Sequence, residues 1–192
     1  MKSSIALIGF MGAGKTAVGR VLAERLGKQF VELDLLIERR AGKSVAEIFE
    51  QDGEVAFREL EIEVTKRLVQ SRAKGLVIAC GGGIVLNRIN IDRLKDESII
   101  VYLTASPGVL LRRVSGGGGE RPLLKAWNSA EPWHHDLATR SRLSRSIREL
   151  LRFREPFYER AADIRIDTSR LDLDGVAEQI IAELNKNESL NS

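Results

Sequence analysis

Between Ile5 and Arg20 the chain reads IALIGFMGAGKTAVGR. Four apolar residues run into Gly9, further glycines stand at 12 and 14, and Lys15-Thr16 completes the pattern G-x-x-x-x-G-K-[ST]. No other stretch constrains the fold as much. The loop works only between a buried strand and a helix, and both are legible. Ile5 to Ile8 read as the strand. Val18, Val21, Leu22 and Leu26 continue a helical pattern that Gly27 stops. The glycines permit backbone shapes that a Cβ resists, so several N–H groups can face phosphate oxygens. The helix adds the positive end of its dipole. Lys15 can reach the β- and γ-phosphates, and the Thr16 hydroxyl can bind Mg²⁺. Gly12, Ala13, Gly14, Lys15, Thr16 and Ala17 are therefore the expected nucleotide-binding set. The loop alone leaves the phosphate's fate open: water, a small molecule, a macromolecule, or sensing without transfer.

A chain of 192 residues predicts one domain with a real core. Cys80 is the only cysteine, which excludes a disulfide framework and a cysteine-rich zinc site. No apolar run is long enough to span a membrane, and MKSSIALIGF lacks a signal-peptide pattern. The expectation is a cytoplasmic protein without membrane or nucleic-acid partners, working as a monomer. The net charge of +3 is unevenly spread: Arg140 to Arg160 holds seven arginines and three glutamates, a net of +4. Such a segment is a solvated helix face, a nucleic-acid patch or a site for small anions. The nucleic-acid reading lacks an aromatic platform.

Apolar runs alternate with helical ones. Gln29–Leu33, Leu76–Cys80, Ser98–Leu103 and Asp163–Ile166 read as further strands. Ser44 and Glu47 form a capping box. Ala56, Leu60, Val64 and Leu68 recur every four residues on the next helix. Ser106-Pro107 fits an N-cap followed by proline. Val176, Ile180, Ile181 and Leu184 mark a last helix, and the polar tail from Asn185 is expected to fray. The alternation predicts an α/β fold, with a parallel sheet covered by helices on both faces.

Ligands in such sheets sit beyond the carboxyl ends of the strands. There the chain places Glu32 and Asp34, two apart and on one face if the second strand extends that far. One can hold Mg²⁺ through water and the other can take a hydroxyl proton; otherwise they are solvated strand-end acids. Gly81 to Gly83 offer close backbone approach or a plain turn. Gly116 to Gly119 and Arg121 read as a lid that excludes water, or as a surface loop. His134-His135, with no cysteine nearby, read as exposed loop residues.

At this point the chain resembles the shikimate kinases, P-loop kinases of the nucleoside-monophosphate-kinase-like group. The resemblance runs from about Ile5 to Leu184 and rests on GFMGAGKT, LDLLIE, GEVAFRELE, CGGG, ERPLL, REPFYERAAD and IDTS, in that order. It implies a three-layer fold with a five-stranded parallel sheet in order 2-3-1-4-5, plus a mobile lid. It implies phosphorylation of the shikimate 3-hydroxyl by ATP with Mg²⁺, in aromatic amino acid biosynthesis. Carried over by position, Asp34 is the base that contacts the ring hydroxyl. Arg58 and Arg154 clamp the shikimate carboxylate beside Gly81, Gly82 and Gly83. Lys15 and Arg121 neutralise the transferring phosphate, Arg113 lies against adenine, and Thr16 and Glu32 serve the metal. Chemistry supports the clamp, because a guanidinium fork matches a carboxylate with two parallel hydrogen bonds. The chain departs from the family in two places: Glu32 stands where aspartate is usual, and the stretch from Arg121 to Arg154 is longer and carries Trp127 and Trp133. A kinase for another polyol acid such as gluconate, or a regulatory nucleotide-binding homologue, are the competing readings.

Overall fold

The computed structural model describes residues 3–71, 74–116 and 137–190. Strands β1 (Ser4–Ile8), β2 (Gln29–Glu32), β3 (Leu76–Ala79), β4 (Ser98–Thr104) and β5 (Ile164–Asp167) form one sheet in order β2-β3-β1-β4-β5, parallel throughout. Strand β1 is central because it is apolar on both sides: Ala6, Leu7 and Ile8 are completely buried. The register sets Glu32 beside Ala79, and Leu7 beside both Ala79 and Val101. The outgoing residues of β1, β2 and β3 therefore emerge together at one edge.

Helices α1 (Lys15–Arg25), α2 (Leu33–Ala41), α3 (Val45–Glu47), α4 (Gly53–Gln70), α5 (Arg88–Glu97), α6 (Pro107–Gly116), α7 (Leu137–Ala161) and α8 (Leu173–Leu190) connect and cover the strands. Helix α1 packs with α8, α4 with α2 and α5, and α6 with α7. Gly19, inside α1, lets that helix lie close to the sheet: a Cβ there would sit 2.6 Å from the Phe30 ring and 3.2 Å from Leu7. The Ser44–Glu47 capping box is present, with each side chain bonded to the other's backbone N–H. It opens only α3, which passes into a π-helical turn, Ile48–Asp52, before α4 begins.

Four expectations are revised. Strand β2 ends at Glu32, and Leu33 already opens α2, since buried Leu33 and Ile37 one helical turn apart seat that helix on the core. Glu32 and Asp34 therefore do not share the face of an extended strand. On α4 the buried stripe is Phe57, Glu61, Val64 and Thr65, rotated from the expected row of Ala56, Leu60, Val64 and Leu68. Strand β3 ends one residue early, at Ala79, β4 runs one residue on, to Thr104, and β5 is shifted by one at both ends, to Ile164–Asp167. Residues beyond Asn185 continue α8 to Leu190, where the polar sequence suggested fraying.

Candidate active site

The phosphate loop leaves β1 at Gly9, with φ of 145° at Gly9, 81° at Gly12 and 100° at Gly14. These are left-handed values that glycine adopts without strain. Ala13 N–H closes a turn onto Phe10 O at 3.1 Å, and Val18 N–H to Gly14 O at 2.8 Å starts α1. No side chain caps α1 and no acid lies in its first turn, so nothing competes with an anion at its positive end. Lys15 arches over the loop and donates from Nζ to Gly9 O at 2.8 Å and Phe10 O at 3.0 Å.

Thr16 and Glu32 meet: Thr16 Oγ1 donates to Glu32 Oε1 at 2.8 Å. Exposed Arg20 lies 3.6 Å from the other Glu32 oxygen. Among the described residues no group of three or more His, Cys, Asp or Glu side chains gathers to hold a metal. A cation here would take one hydroxyl and one carboxylate from the protein and its other ligands from phosphates and water. That division suits Mg²⁺, which keeps several waters and binds through few carboxylates.

Asp34 lies in the first turn of α2, with its Oδ1 buried and without a hydrogen-bond partner among the described residues. Burial pushes its carboxyl above the usual aspartate range, Lys15 opposes that most strongly, and Glu32 and Glu38 reinforce it. Gly81 is the neighbour that permits this placement: a Cβ there would stand 2.8 Å from Asp34 Oδ1 and 3.4 Å from Glu61 Oε1. Gly83 faces Arg58 in the same way, and a side chain at 83 would collide with the guanidinium.

Arg58 projects from α4 between two glutamates. Its Nη1 donates to both oxygens of Glu61 at 3.2 and 3.1 Å, and its Nε and Nη2 donate to Glu54 Oε1 at 3.3 and 3.0 Å. Glu61 is completely buried. Burial raises its carboxyl to about 7 against the pull of Arg58, with Asp34 adding to the rise. Arg154, from α7, is 4% exposed. Its Nη1 donates weakly to Gly82 O at 3.4 Å, its Nε has no partner, and no carboxylate pairs with it among the described residues. Burial draws this guanidinium below its ordinary range, and neighbouring Arg58 adds to the effect. Tyr158, one turn further on, donates its hydroxyl to the same Gly82 oxygen and stacks on Tyr102 at 5.0 Å, which ties α7 to β4.

Between these groups lies a cavity of about 540 Å³. Asp34, Arg58, Glu61 and Gly81 to Gly83 form its polar side, and Met11, Phe49 and Phe57 its apolar wall. The two phenylalanine rings stand 4.7 Å apart.

Arg113 reaches the loop from α6. Its Nη1 donates to Thr168 Oγ1 at 2.9 Å and Gly12 O at 3.3 Å, and its Nη2 to Thr168 O at 2.8 Å. Thr168 Oγ1 also lies 3.2 Å from the carbonyls of Ala13 and Thr104. Cys80 is buried and its thiol is pushed upward by that burial, which leaves it chemically quiet. Arg121, the glycines from 117 to 119, Trp127, Trp133, His134 and His135 lie outside the described residues.

Reading residues in order missed Glu61, Glu54, Tyr158 and the apolar wall. The signal was there for the first two: Glu54, Arg58 and Glu61 are spaced four and three apart, on one face of a helix.

A five-stranded parallel sheet in this order, with a phosphate loop on its central strand, Asp34 and Arg58 lining a cavity beside it and Arg154 against Gly82, defines a P-loop kinase for a small molecule. Comparison with known proteins narrows the class. The family model for shikimate kinase matches residues 11–185. A shikimate kinase of Caldanaerobacter subterraneus is 45% identical over 178 residues, covering 93% of this chain and 94% of that protein. The structure of shikimate kinase from Acinetobacter baumannii in complex with shikimate is 35% identical, with a TM-score of 0.77 over 96% of this chain and 94% of that one. The shikimate kinase structure from Bacteroides thetaiotaomicron is 30% identical, with a TM-score of 0.80 over 95% and 98%. The chain belongs to the shikimate kinase family, small-molecule kinases that use ATP with Mg²⁺.

Proposed function

We propose that this chain carries out its family's reaction, transfer of the ATP γ-phosphoryl group to the 3-hydroxyl of shikimate, with the groups around the cavity dividing the work. The observation that carries the acceptor side is Arg154. It is 4% exposed and makes no ion pair with a carboxylate among the described residues. A buried guanidinium in that state calls for an anion. Arg58 is close enough to depress it further, so one carboxylate entering beside Gly82 satisfies both. Its acid group fixed there, the ring rests on Phe57 and Met11 and turns a hydroxyl toward Asp34. The lone Oδ1 of Asp34 accepts that proton as the hydroxyl attacks. Lys15 opposes the rise that burial imposes on the Asp34 carboxyl and meets the phosphate charge during the transfer. Thr16 and Glu32 would hold Mg²⁺, which supplies neutralisation of phosphate charge when bound. Arg113 flanks the loop on the side away from the cavity and is the candidate adenine contact. Arg121 joins the phosphate-facing set on its motif alone.

The working unit we propose is a single-domain monomer acting in the cytoplasm. Among the described residues no helix is long and apolar enough to cross a membrane. A coupled assay for ADP release, run with shikimate, with gluconate and with neither, tests the assignment. Release should depend on shikimate. Equal release with gluconate would move the acceptor, and release without either would make the chain an ATPase.

A further inference from the structure

We propose that Glu54 stands in for the acceptor's carboxylate on Arg58 and thereby sets the affinity for the acceptor; this rests on the reading that Arg58 grips that carboxylate. The two glutamates on Arg58 are not equivalent. Glu61 is completely buried and takes both its oxygens to Nη1. Removing it would strand a buried ion. The Glu54 side chain is 52% exposed and occupies the other edge of the guanidinium, with Nε and Nη2 converging on its Oε1. That edge presents two parallel N–H groups, the arrangement that fits a carboxylate with two hydrogen bonds. Arg58 cannot turn a different edge to a ligand, because its guanidinium lies against the backbone at Gly83 and is tethered at Nη1. An incoming carboxylate must therefore displace Glu54 or share its donors. Glu54 can leave, since its carboxylate passes directly into water.

Glu54 is then a specificity-determining residue. It holds Arg58 in the receptive geometry when no acceptor is present, and it imposes a toll that only a carboxylate can overcome. A polyol without an acid group meets an arginine already paired.

The test is equilibrium shikimate binding and steady-state kinetics for Glu54→Gln, Arg58→Gln and the double variant. Glu54→Gln removes the charge and keeps the shape. Its dissociation constant and KM for shikimate should fall about two- to fivefold, the size of a half-exposed ion pair on one helix, with KM for ATP unchanged. The gain should vanish in the Arg58→Gln background. If Glu54→Gln weakens shikimate or leaves it unchanged while Arg58→Gln weakens it, Glu54 only props Arg58 and the stand-in role is wrong. If Arg58→Gln binds shikimate normally, the underlying reading of Arg58 falls instead, and this proposal with it. Should the Gln variant fail to fold, Glu54→Asp shortens the reach to Arg58 and should tighten shikimate in the same direction.

Discussion

Arg154 and Glu32 show what a single side chain decides here. Arg154 is a cation kept from water that donates weakly to Gly82 O at 3.4 Å, with the Tyr158 hydroxyl beside it. Lysine cannot reproduce its fork, so Arg154→Lys should raise KM for shikimate about ten- to a hundredfold and leave KM for ATP near its starting value. A charge-assisted pair of bonds is worth about 1.5–3 kcal/mol, and each 1.4 kcal/mol is a decade. Equal changes for both substrates would remove Arg154 from the acceptor site. Glu32 accepts from Thr16 at 2.8 Å and is one methylene longer than the usual family residue. Because a water between carboxylate and metal absorbs that length, Glu32→Asp should stay active. Glu32→Ala should raise the Mg²⁺ concentration needed for half-maximal rate several-fold. Titration of activity with Mg²⁺ reads this directly, and an unchanged midpoint would detach Glu32 from the metal.

Helix α1 illustrates how an element is held to its neighbours. Gly19 → Ala would improve helix propensity by about 0.8–1.0 kcal/mol. The added methyl, however, lands 2.6 Å from the Phe30 ring and 3.2 Å from Leu7. Overpacking of that kind costs about 1–3 kcal/mol. The net should be a loss on the order of 1 kcal/mol, visible as a lower urea midpoint; a gain would mean the ring moves aside freely. The same level shows what was legible in the chain. The loop, β1 and α1 were readable because apolar runs, glycines and spacing all agree there, whereas the order of the five strands followed only from the family resemblance. The β2–α2 boundary was not, since extended and helical phases overlap at Leu33 and only burial of Leu33 with Ile37 separates them. Charge hid the rest. Arg154 follows Leu143, Ile147 and Leu150 at helical spacing and so belongs to the buried face of α7, while Arg145, Arg148 and Arg152 are exposed. Glu61 likewise falls in step with Phe57 and Val64. A polar residue in phase with a core stripe was the clue, and a net charge over the whole segment averages it away.

Over the molecule as a whole, the site is a region where stability is given up. The Glu61 carboxyl sits at about 7, against 4.5 for an ordinary glutamate. Between those values the folded chain holds a proton that the unfolded chain has released, so stability falls as pH rises through that window. The penalty is absent below about 4.5 and complete above about 7. Urea unfolding from pH 5 to pH 8 should show a decline on the order of 1–3 kcal/mol from this group, and Glu61→Gln should flatten it. A slope that survives the substitution would place the titrating group elsewhere. The proposed carboxylate clamp has a second consequence at this scale. One arm, Arg58, is on α4, and the other, Arg154, is on α7, after which only β5 and α8 remain. A ribosome has therefore made the phosphate loop, Asp34 and Arg58 long before the second arm exists. A half-made chain that ends before α7 has the phosphate loop, Asp34 and Arg58 but lacks both Arg154 and Thr168, the residue that ties Arg113 to the loop, so the two sides of the site are completed together, late in synthesis.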